Sequence, residues 1–303
     1  MRHSTRATLI LLLAAILPAS PALAQASGGA DDGGKTPSIA TDPSEQTGQA
    51  GWSLRPDGPL PPPPPAVVTS PGPGTGGSAE FADWAVAVVA ADWRSSQGAP
   101  IQAFENARRD LTYAFQRAGF DADNTASVSL APRANGAPMA SGAAQAAIEA
   151  VTRRANGGCL LYFTSHGSPA GMVWGDEGLL APNRLDQLVD GWCQSRPTVV
   201  VVSACFSGVF VPALAQPNRM IMTAARRDRS SFGCSEDDTH PYFDACILES
   251  LGGAHDFIDL SMRSTACVNR REREEGLRPP SEPQTYVGAQ MQSLLPFLRF
   301  QSP

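Results

Sequence analysis

Two segments decide the fold. The first is Cys159-Leu160-Leu161-Tyr162-Phe163 followed by Thr164-Ser165-His166-Gly167, and the second is Val199-Val200-Val201-Val202 followed by Ser203-Ala204-Cys205-Phe206-Ser207-Gly208. Each begins with a run that is apolar at every position, which is typical of a strand buried on both faces. Between them, apolar residues recur at helical spacing after Pro182, namely Leu185, Leu188, Val189 and Trp192. The pattern therefore predicts a strand, a crossover helix and a parallel strand beside the first.

This unit predicts that His166 and Cys205 meet at one edge of the sheet. Adjacent parallel strands lie about 4.8 Å apart and end at the same edge, where ligands of open α/β sheets bind. A thiol needs a nearby base to become a nucleophile, and an imidazole can later protonate a leaving amine. The two residues together predict a cysteine hydrolase, with Cys205 as nucleophile and His166 as acid and base. The amides of Gly167 and Cys205 are the candidate oxyanion hole.

Each residue also has a simpler explanation when it is considered alone. Free cysteine is among the residue types most often buried, and a histidine at a strand end is commonly structural. The hydrolase interpretation depends on both residues standing at matching strand ends.

Three blocks follow one another along the chain. They are Leu161-Tyr162-Phe163-Thr164-Ser165-His166-Gly167-Ser168, Ala204-Cys205-Phe206-Ser207-Gly208 and the segment from Thr223 to Cys234. In this order they resemble the legumain (asparaginyl endopeptidase) family of caspase-like cysteine peptidases. The resemblance spans most of residues 80 to 296. It implies a caspase-like three-layer α/β sandwich, with a mostly parallel sheet and helices on both faces. It also implies the same roles for His166 and Cys205.

The substrate pocket departs from the pattern of that family. The resemblance implies an arginine after the first strand, an acidic residue two positions before the nucleophile and an aspartate after a long loop. Ser203 stands in the second place and Asp244 fits the third, while Arg94 is a candidate for the first. We expect these three residues to bind substrate, and the remaining carboxylate to favour a basic or amide side chain before the scissile bond. The alternative for Asp244 is a carboxylate at the start of a helix.

The sequence predicts three regions. Residues 1–24 have an arginine-flanked apolar core, followed by Ala22-Leu23-Ala24, and are predicted to be a signal peptide cleaved before Gln25. Residues 25–79 are rich in proline and glycine, include five consecutive prolines and are predicted to be a disordered leader or tether. Residues 80–303 form the predicted peptidase domain. We expect the mature protein to be exported, to a bacterial periplasm, with secretion or an uncleaved signal anchor as the alternatives.

The composition narrows the classes of molecule that the protein is expected to bind. The 303 residues are 42% hydrophobic and 17% charged, with a formal net charge of -6, and Lys35 is the only lysine. No basic stripe with interleaved aromatic residues is present, so nucleic acid is not an expected partner. No histidine pairs with cysteine or another histidine at metal-ligand spacing, so we expect neither a metal nor a cofactor. The expected partner is a peptide or protein substrate, with no stable membrane span after signal cleavage.

The six cysteines cannot all form disulfides if Cys205 is a nucleophile. We expect Cys159, at the start of a buried strand, to be an inert thiol. One or two bridges are expected among the others, which are Cys193, Cys234, Cys246 and Cys267. The alternative is that all six are reduced.

Three functions are compatible with these observations. The first is an exported cysteine endopeptidase that forms an acyl-enzyme at Cys205. The second is a transpeptidase or ligase that uses the same pair of residues with an incoming amine in place of water. The third is a non-catalytic binding protein that keeps the caspase-like frame. The presence of both His166 and Cys205 favours catalysis.

Two further segments have expected locations. The polar loop from Arg226 to His240 is expected to line the same edge as His166 and Cys205 and to contact substrate. The charged run at residues 270–275 is expected to be a solvated helix face.

Overall fold

The fold is given by a computed structural model that describes residues 80–132 and 136–301. The predicted signal peptide and leader lie outside these residues. Strands and helices alternate over most of the domain. The strands are β1 (Trp84–Ala90), β2 (Thr125–Ser129), β3 (Gly158–Thr164), β4 (Gly167–Ser168), β5 (Gly171–Val173), β6 (Leu179–Leu180), β7 (Thr198–Ser203), β8 (Arg219–Thr223) and β9 (Gln284–Val287). The helices are α1 (Ala103–Arg117), α2 (Ser141–Arg154), α3 (Pro182–Cys193), α4 (Val211–Leu214), α5 (Tyr242–Leu251), α6 (Phe257–Glu274) and α7 (Ala289–Leu294).

The main sheet has six strands in the order β2-β1-β3-β7-β8-β9. All neighbours are parallel except β9, which pairs antiparallel with β8 at one edge. The predicted neighbours β3 and β7 are adjacent and parallel, and every residue in both is buried. A second, three-stranded sheet is formed by β4, β5 and β6. The sequence analysis did not predict β2, β9 or this small sheet.

Helices cover both faces of the main sheet, and each face has its own core. On one face, α1, α5 and α6 pack around a cluster that includes Tyr162 and Phe257. On the other, α2, α3 and α4 pack around a cluster that includes Phe163 and Trp192. Because side chains alternate along a strand, neighbouring residues of β3 belong to opposite cores. The predicted three-layer α/β sandwich is confirmed.

Two disulfides cross-link the elements of the domain. Cys159 in β3 is bonded to Cys193 in α3, and Cys246 in α5 is bonded to Cys267 in α6. The expectation that Cys159 is an inert thiol is therefore wrong, because α3 folds back over β3 and brings Cys193 to it. Cys205 and Cys234 are free thiols.

The charged run at residues 270–275 is only partly a solvated face. Glu272 is 2% exposed, and its two carboxylate oxygens accept hydrogen bonds from the amide of Ser281 at 3.1 and 3.2 Å. Arg270 and Arg271 pair with Glu249 at the surface. The carboxyl-terminal segment folds back against α6, which a helical charge pattern does not reveal.

Among the residues that the structure describes, no helix has both the length and the apolar character needed to cross a membrane.

Candidate active site

His166 and Cys205 lie at the carboxyl ends of two neighbouring strands. Thr164 in β3 pairs in register with Ser203 in β7, so His166 and Cys205 each stand two residues beyond the last paired rung. Both side chains are partly exposed. The structure thus brings the two predicted catalytic residues to the same level of the same sheet edge.

The imidazole of His166 is held on two sides. Its Nε2 lies 2.7 Å from the carbonyl oxygen of Arg94, in the segment that follows β1. The ring also packs edge-on against Phe104, with 5.0 Å between the ring centroids. A carbonyl can only accept a hydrogen bond, so Nε2 carries the hydrogen and Nδ1 of the neutral ring is left as the base.

The sulfur of Cys205 lies under the loop that follows β8. The amide of Ser231 donates a hydrogen bond to Sγ at 3.3 Å, and Sγ lies 3.5 Å from the carbonyl oxygen of the same residue. The next residue, Phe206, has a left-handed backbone with φ of 58°, and its amide donates to the carbonyl of Arg229 at 2.7 Å. The loop from Arg226 to His240 therefore contacts the predicted nucleophile directly, through its backbone.

Gly167 is required by the close approach of the two strand ends. A Cβ atom at this position would lie 2.0 Å from the carbonyl oxygen of Cys205. Gly167 stands opposite Met172 in the hairpin of β4 and β5, and the preceding pair is bonded through Val173 N–H and the His166 carbonyl. Antiparallel pairs alternate between bonded and non-bonded, so the amide of Gly167 points away from the hairpin. This orientation leaves the amide available as an oxyanion donor.

Asp244 lies beneath this edge of the sheet, in the first turn of α5. Its side chain is 0% exposed, and its oxygens accept hydrogen bonds from Tyr162 Oη and Thr164 Oγ1, both at 2.5 Å. Burial raises the pKa of the Asp244 carboxyl to about 6, although its hydrogen bonds to Thr164, Tyr162 and Ser203 act in the opposite direction. Burial and the neighbouring carboxylate likewise raise the pKa of Tyr162 well above its usual value.

The other two predicted pocket residues are also engaged with the protein. Ser203 is the last residue of β7 and is buried. The guanidinium of Arg94 donates to Asp92 at 2.8 Å, to Asp176 at 3.1 Å and to the carbonyl of Gly175 at 2.7 Å. The substrate-binding roles of Ser203, Asp244 and Arg94 stay predictions. In this structure the polar groups of Arg94 and Asp244 bind other residues of the protein.

The second free thiol, Cys234, lies in the loop that contacts Cys205. Burial raises the pKa of the Cys234 thiol well above its usual value, and the nearby Cys205 and Asp244 raise it further. The Cys234 thiol is therefore expected to be protonated at neutral pH. Within the described part of the chain, no three His, Cys, Asp or Glu side chains are grouped as metal ligands.

The sequence analysis did not predict three groups that contribute to this site. They are the carbonyl of Arg94, the backbone of Ser231 and the hydroxyls of Tyr162 and Thr164 that bind Asp244. A signal for the last was present, because Tyr162 and Thr164 are polar residues that alternate with apolar ones on the strand leading to His166. Backbone groups carry no such signal in the sequence.

Two comparisons with known proteins give a match. Among solved structures, caspase-1 from Spodoptera frugiperda is similar to this chain, with a TM-score of 0.49 and 12% sequence identity. The alignment covers 69% of this chain and 87% of that one. No curated protein sequence gives a significant match. The Peptidase C13 family matches residues 99–262, which include both His166 and Cys205, and the chain therefore belongs to this family of cysteine peptidases.

Proposed function

We propose that this protein is an exported cysteine endopeptidase in which Cys205 is the nucleophile and His166 is the acid and base. The observation that carries the proposal is the register of β3 and β7, which sets both residues two positions beyond one rung of the sheet. The hydrogen bond from His166 Nε2 to the Arg94 carbonyl supports it, because it fixes the tautomer in which Nδ1 is free to take a proton.

The proposed reaction has two stages. Nδ1 of His166 accepts the thiol proton, and the sulfur of Cys205 attacks the scissile carbonyl carbon to form a tetrahedral intermediate. The amides of Gly167 and Cys205 stabilise its negatively charged oxygen. When the C–N bond breaks, the imidazolium protonates the leaving amine and an acyl-enzyme remains. His166 then takes a proton from water, whose oxygen attacks the thioester, and the released sulfur regains a proton.

Export is the second part of the proposal. It is supported by the arginine-flanked apolar core at residues 1–24 and by two disulfides, which persist in oxidising compartments. Mass spectrometry of the protein purified from its native host tests this part. A mature amino terminus at Gln25 is expected, and an intact Met1 would contradict cleavage.

Cleavage of a peptide library by the mature protein tests the catalytic part. We expect internal cuts that give two shorter peptides, a mass adduct on Cys205 when the reaction is quenched early, and no cuts with Cys205→Ala. Addition of an amine nucleophile distinguishes hydrolysis from transpeptidation, since a transpeptidase would give ligated product alone. Absence of cleavage together with equal alkylation of native and Cys205→Ala proteins would contradict catalysis.

A further inference from the structure

The carboxylate of Asp244 binds the strand that leads to His166, at the rung where that strand pairs with the one leading to Cys205. Its hydrogen bonds reach Tyr162 and Thr164 on β3. Thr164 is the partner of Ser203 on β7 in the last paired rung between those strands. One side chain from α5 thus holds one member of that rung from the helical layer.

The position of this rung matters because it is the last one before the candidate catalytic residues. Side chains on a strand repeat every second residue, so Tyr162 and Thr164 share one face of β3. Beyond the rung, the chain is held by the hydrogen bond from the amide of Ser165 to the carbonyl of Ser203 at 3.0 Å. A constraint on Thr164 therefore acts on the last rung of the sheet before His166 and Cys205.

Among the residues that the structure describes, no cationic side chain forms a salt bridge with the Asp244 carboxylate. A buried ionised group is costly unless hydrogen bonds replace its lost hydration, and here hydroxyl groups do so. The titratable groups that face it are Tyr162 from β3, His240 from the segment before α5 and Cys234 from the loop over the site. Since the hydroxyl donors must point at the carboxylate, their side chains are restricted to one arrangement.

The alternative of a helix-start carboxylate is confirmed in part. Asp244 lies in the first turn of α5, where the helix dipole favours a negative charge, but the capping residue is Pro241 and no side-chain cap hydrogen bond is formed there. Because the Asp244 side chain is fully buried and both of its oxygens accept hydrogen bonds from β3, it is not accessible to a substrate in this structure.

We propose that Asp244 is a positioning residue of the peptidase reaction, which binds Tyr162 and Thr164 and so fixes the end of β3 against its neighbour β7 at the spacing that His166 and Cys205 require. This inference rests on the proposed function. It assigns to Asp244 an effect on the chemical step that is exerted through the sheet, without contact with the substrate.

The first test compares steady-state kinetics of Asp244→Asn, Tyr162→Phe and Thr164→Val. Misplacement of reacting groups by about 1 Å lowers rates by about 10²-fold. We expect kcat to fall about 10- to 100-fold for Asp244→Asn and less for the two single-hydroxyl variants, with KM changed by less than about threefold. A raised KM with unchanged kcat would overturn the proposal in favour of substrate binding. If Asp244→Asn does not fold, the two hydroxyl variants decide the outcome.

A second test combines the substitutions. Residues that act through one network are not additive, so Thr164→Val combined with Asp244→Asn should reduce kcat little more than Asp244→Asn alone. Fully multiplicative losses would show that the two residues act independently and would overturn the proposal.

Asp186→Asn is the matched control. It removes a carboxylate that pairs with the buried Arg219 at the opposite edge of the sheet. We expect this variant to lower the melting temperature while kcat at a temperature where it is folded stays within about twofold. Equal loss of kcat in Asp186→Asn and Asp244→Asn would show that general destabilisation is the cause, and would overturn the proposal.

Alkylation of Cys205 by iodoacetamide separates this proposal from the peptidase function itself. If Asp244 positions the pair, Asp244→Asn should lower the alkylation rate about tenfold at neutral pH and change its pH profile, because the thiolate depends on His166. A protein that alkylates in this manner but cleaves no peptide would contradict the proposed function alone. Identical rates and profiles in native and Asp244→Asn proteins would contradict the positioning role alone.

Discussion

The amino ends and the carboxyl ends of the parallel strands form two edges of the main sheet, the amino edge and the carboxyl edge. These two edges bury charge in different ways. At the amino edge, the guanidinium of Arg219, which is 1% exposed, donates to Asp186 and Asp190 at 2.6 Å each and to the carbonyl of Leu214 at 3.1 Å. At the carboxyl edge, the carboxylate of Asp244 is equally buried but is bound by hydroxyl groups. A buried charge opposite two counter-charges remains ionised, whereas burial without a direct counter-charge shifts the pKa. Burial accordingly raises the pKa of Asp244 to about 6.

One disulfide and the two free thiols divide in the same way. Cys159 stands near the amino end of β3 and is bonded to Cys193, while the free thiols Cys205 and Cys234 belong to the carboxyl edge. The other disulfide, Cys246–Cys267, joins α5 to α6. The amino edge is thus fixed by both a covalent and an ionic link.

The largest difference between the edges is expected in activity. His166→Ala removes the proposed base, and we expect kcat to fall by about 10³-fold or more, with the melting temperature within about 2 °C of the native value. His255→Ala is the control, since that side chain is exposed in the turn between α5 and α6 and makes no described contact with the site. Retention of most of the activity in His166→Ala would remove the basis for treating the carboxyl edge as catalytic.

Removal of the two carboxylates at the amino edge should lower the stability of the fold and leave the activity unchanged. In Asp186→Asn/Asp190→Asn, Arg219 stays buried with no counter-charge, so we expect the free energy of unfolding to fall by about 3 kcal/mol. Chemical denaturation measures this change, and peptide cleavage at a permissive temperature should be unaltered. Unchanged stability would mean that water reaches the guanidinium and that the edges do not differ as described.

The raised pKa of Asp244 gives the carboxyl edge a pH-dependent stability of defined sign. The folded value of about 6 exceeds the ordinary value of 3.8, so the folded state holds the proton more tightly. The stabilisation is complete below about pH 4 and is lost as the pH rises through 6, an effect of about 3 kcal/mol for two units of pKa. We expect the stability difference between native and Asp244→Asn proteins, measured by urea unfolding, to change by this amount between pH 4 and pH 7. A difference that is independent of pH would show that the carboxyl is not perturbed.

Gly167→Ala sharpens the comparison by moving the strand ends at the carboxyl edge alone. The added Cβ would lie 2.0 Å from the carbonyl oxygen of Cys205, so the two backbones must separate. We expect kcat to fall about 10²-fold, as is found when reacting groups are displaced by about 1 Å. Gly191→Ala is the matched control, because a Cβ there meets nothing within 4 Å. Equal kinetics in the two variants would show that the close approach is not needed.

The smallest effect is expected at Cys234. Because burial raises the pKa of its thiol, iodoacetamide at neutral pH should modify Cys205 and leave Cys234 unmodified, as peptide mapping would reveal. Cys234→Ser should change kcat by less than about twofold. Preferential labelling of Cys234 would mean that the loop over the site opens in solution.

Local patterns predicted the two central strands of the parallel sheet. The boundaries of β3 and β7 agree with the apolar runs in the sequence to within about one residue. The strands β2 and β9 were missed because they are short edge strands of mixed polarity, and such segments lack a continuous apolar run. Pairing with a neighbour, which depends on the rest of the fold, makes them strands.

The sequence by itself determined the sandwich and the placing of His166 and Cys205 at one edge. The spacing of apolar residues and the order of strands and helices along the chain can be read directly from the sequence. Only the tertiary structure decided that Cys159 pairs with Cys193, that the carbonyl of Arg94 holds the imidazole, and that Asp244 binds hydroxyls 80 and 82 residues away. The physical reason is that these contacts depend on how the layers pack, because a hydrogen bond or a disulfide joins atoms whose distance along the chain carries no information about their distance in space.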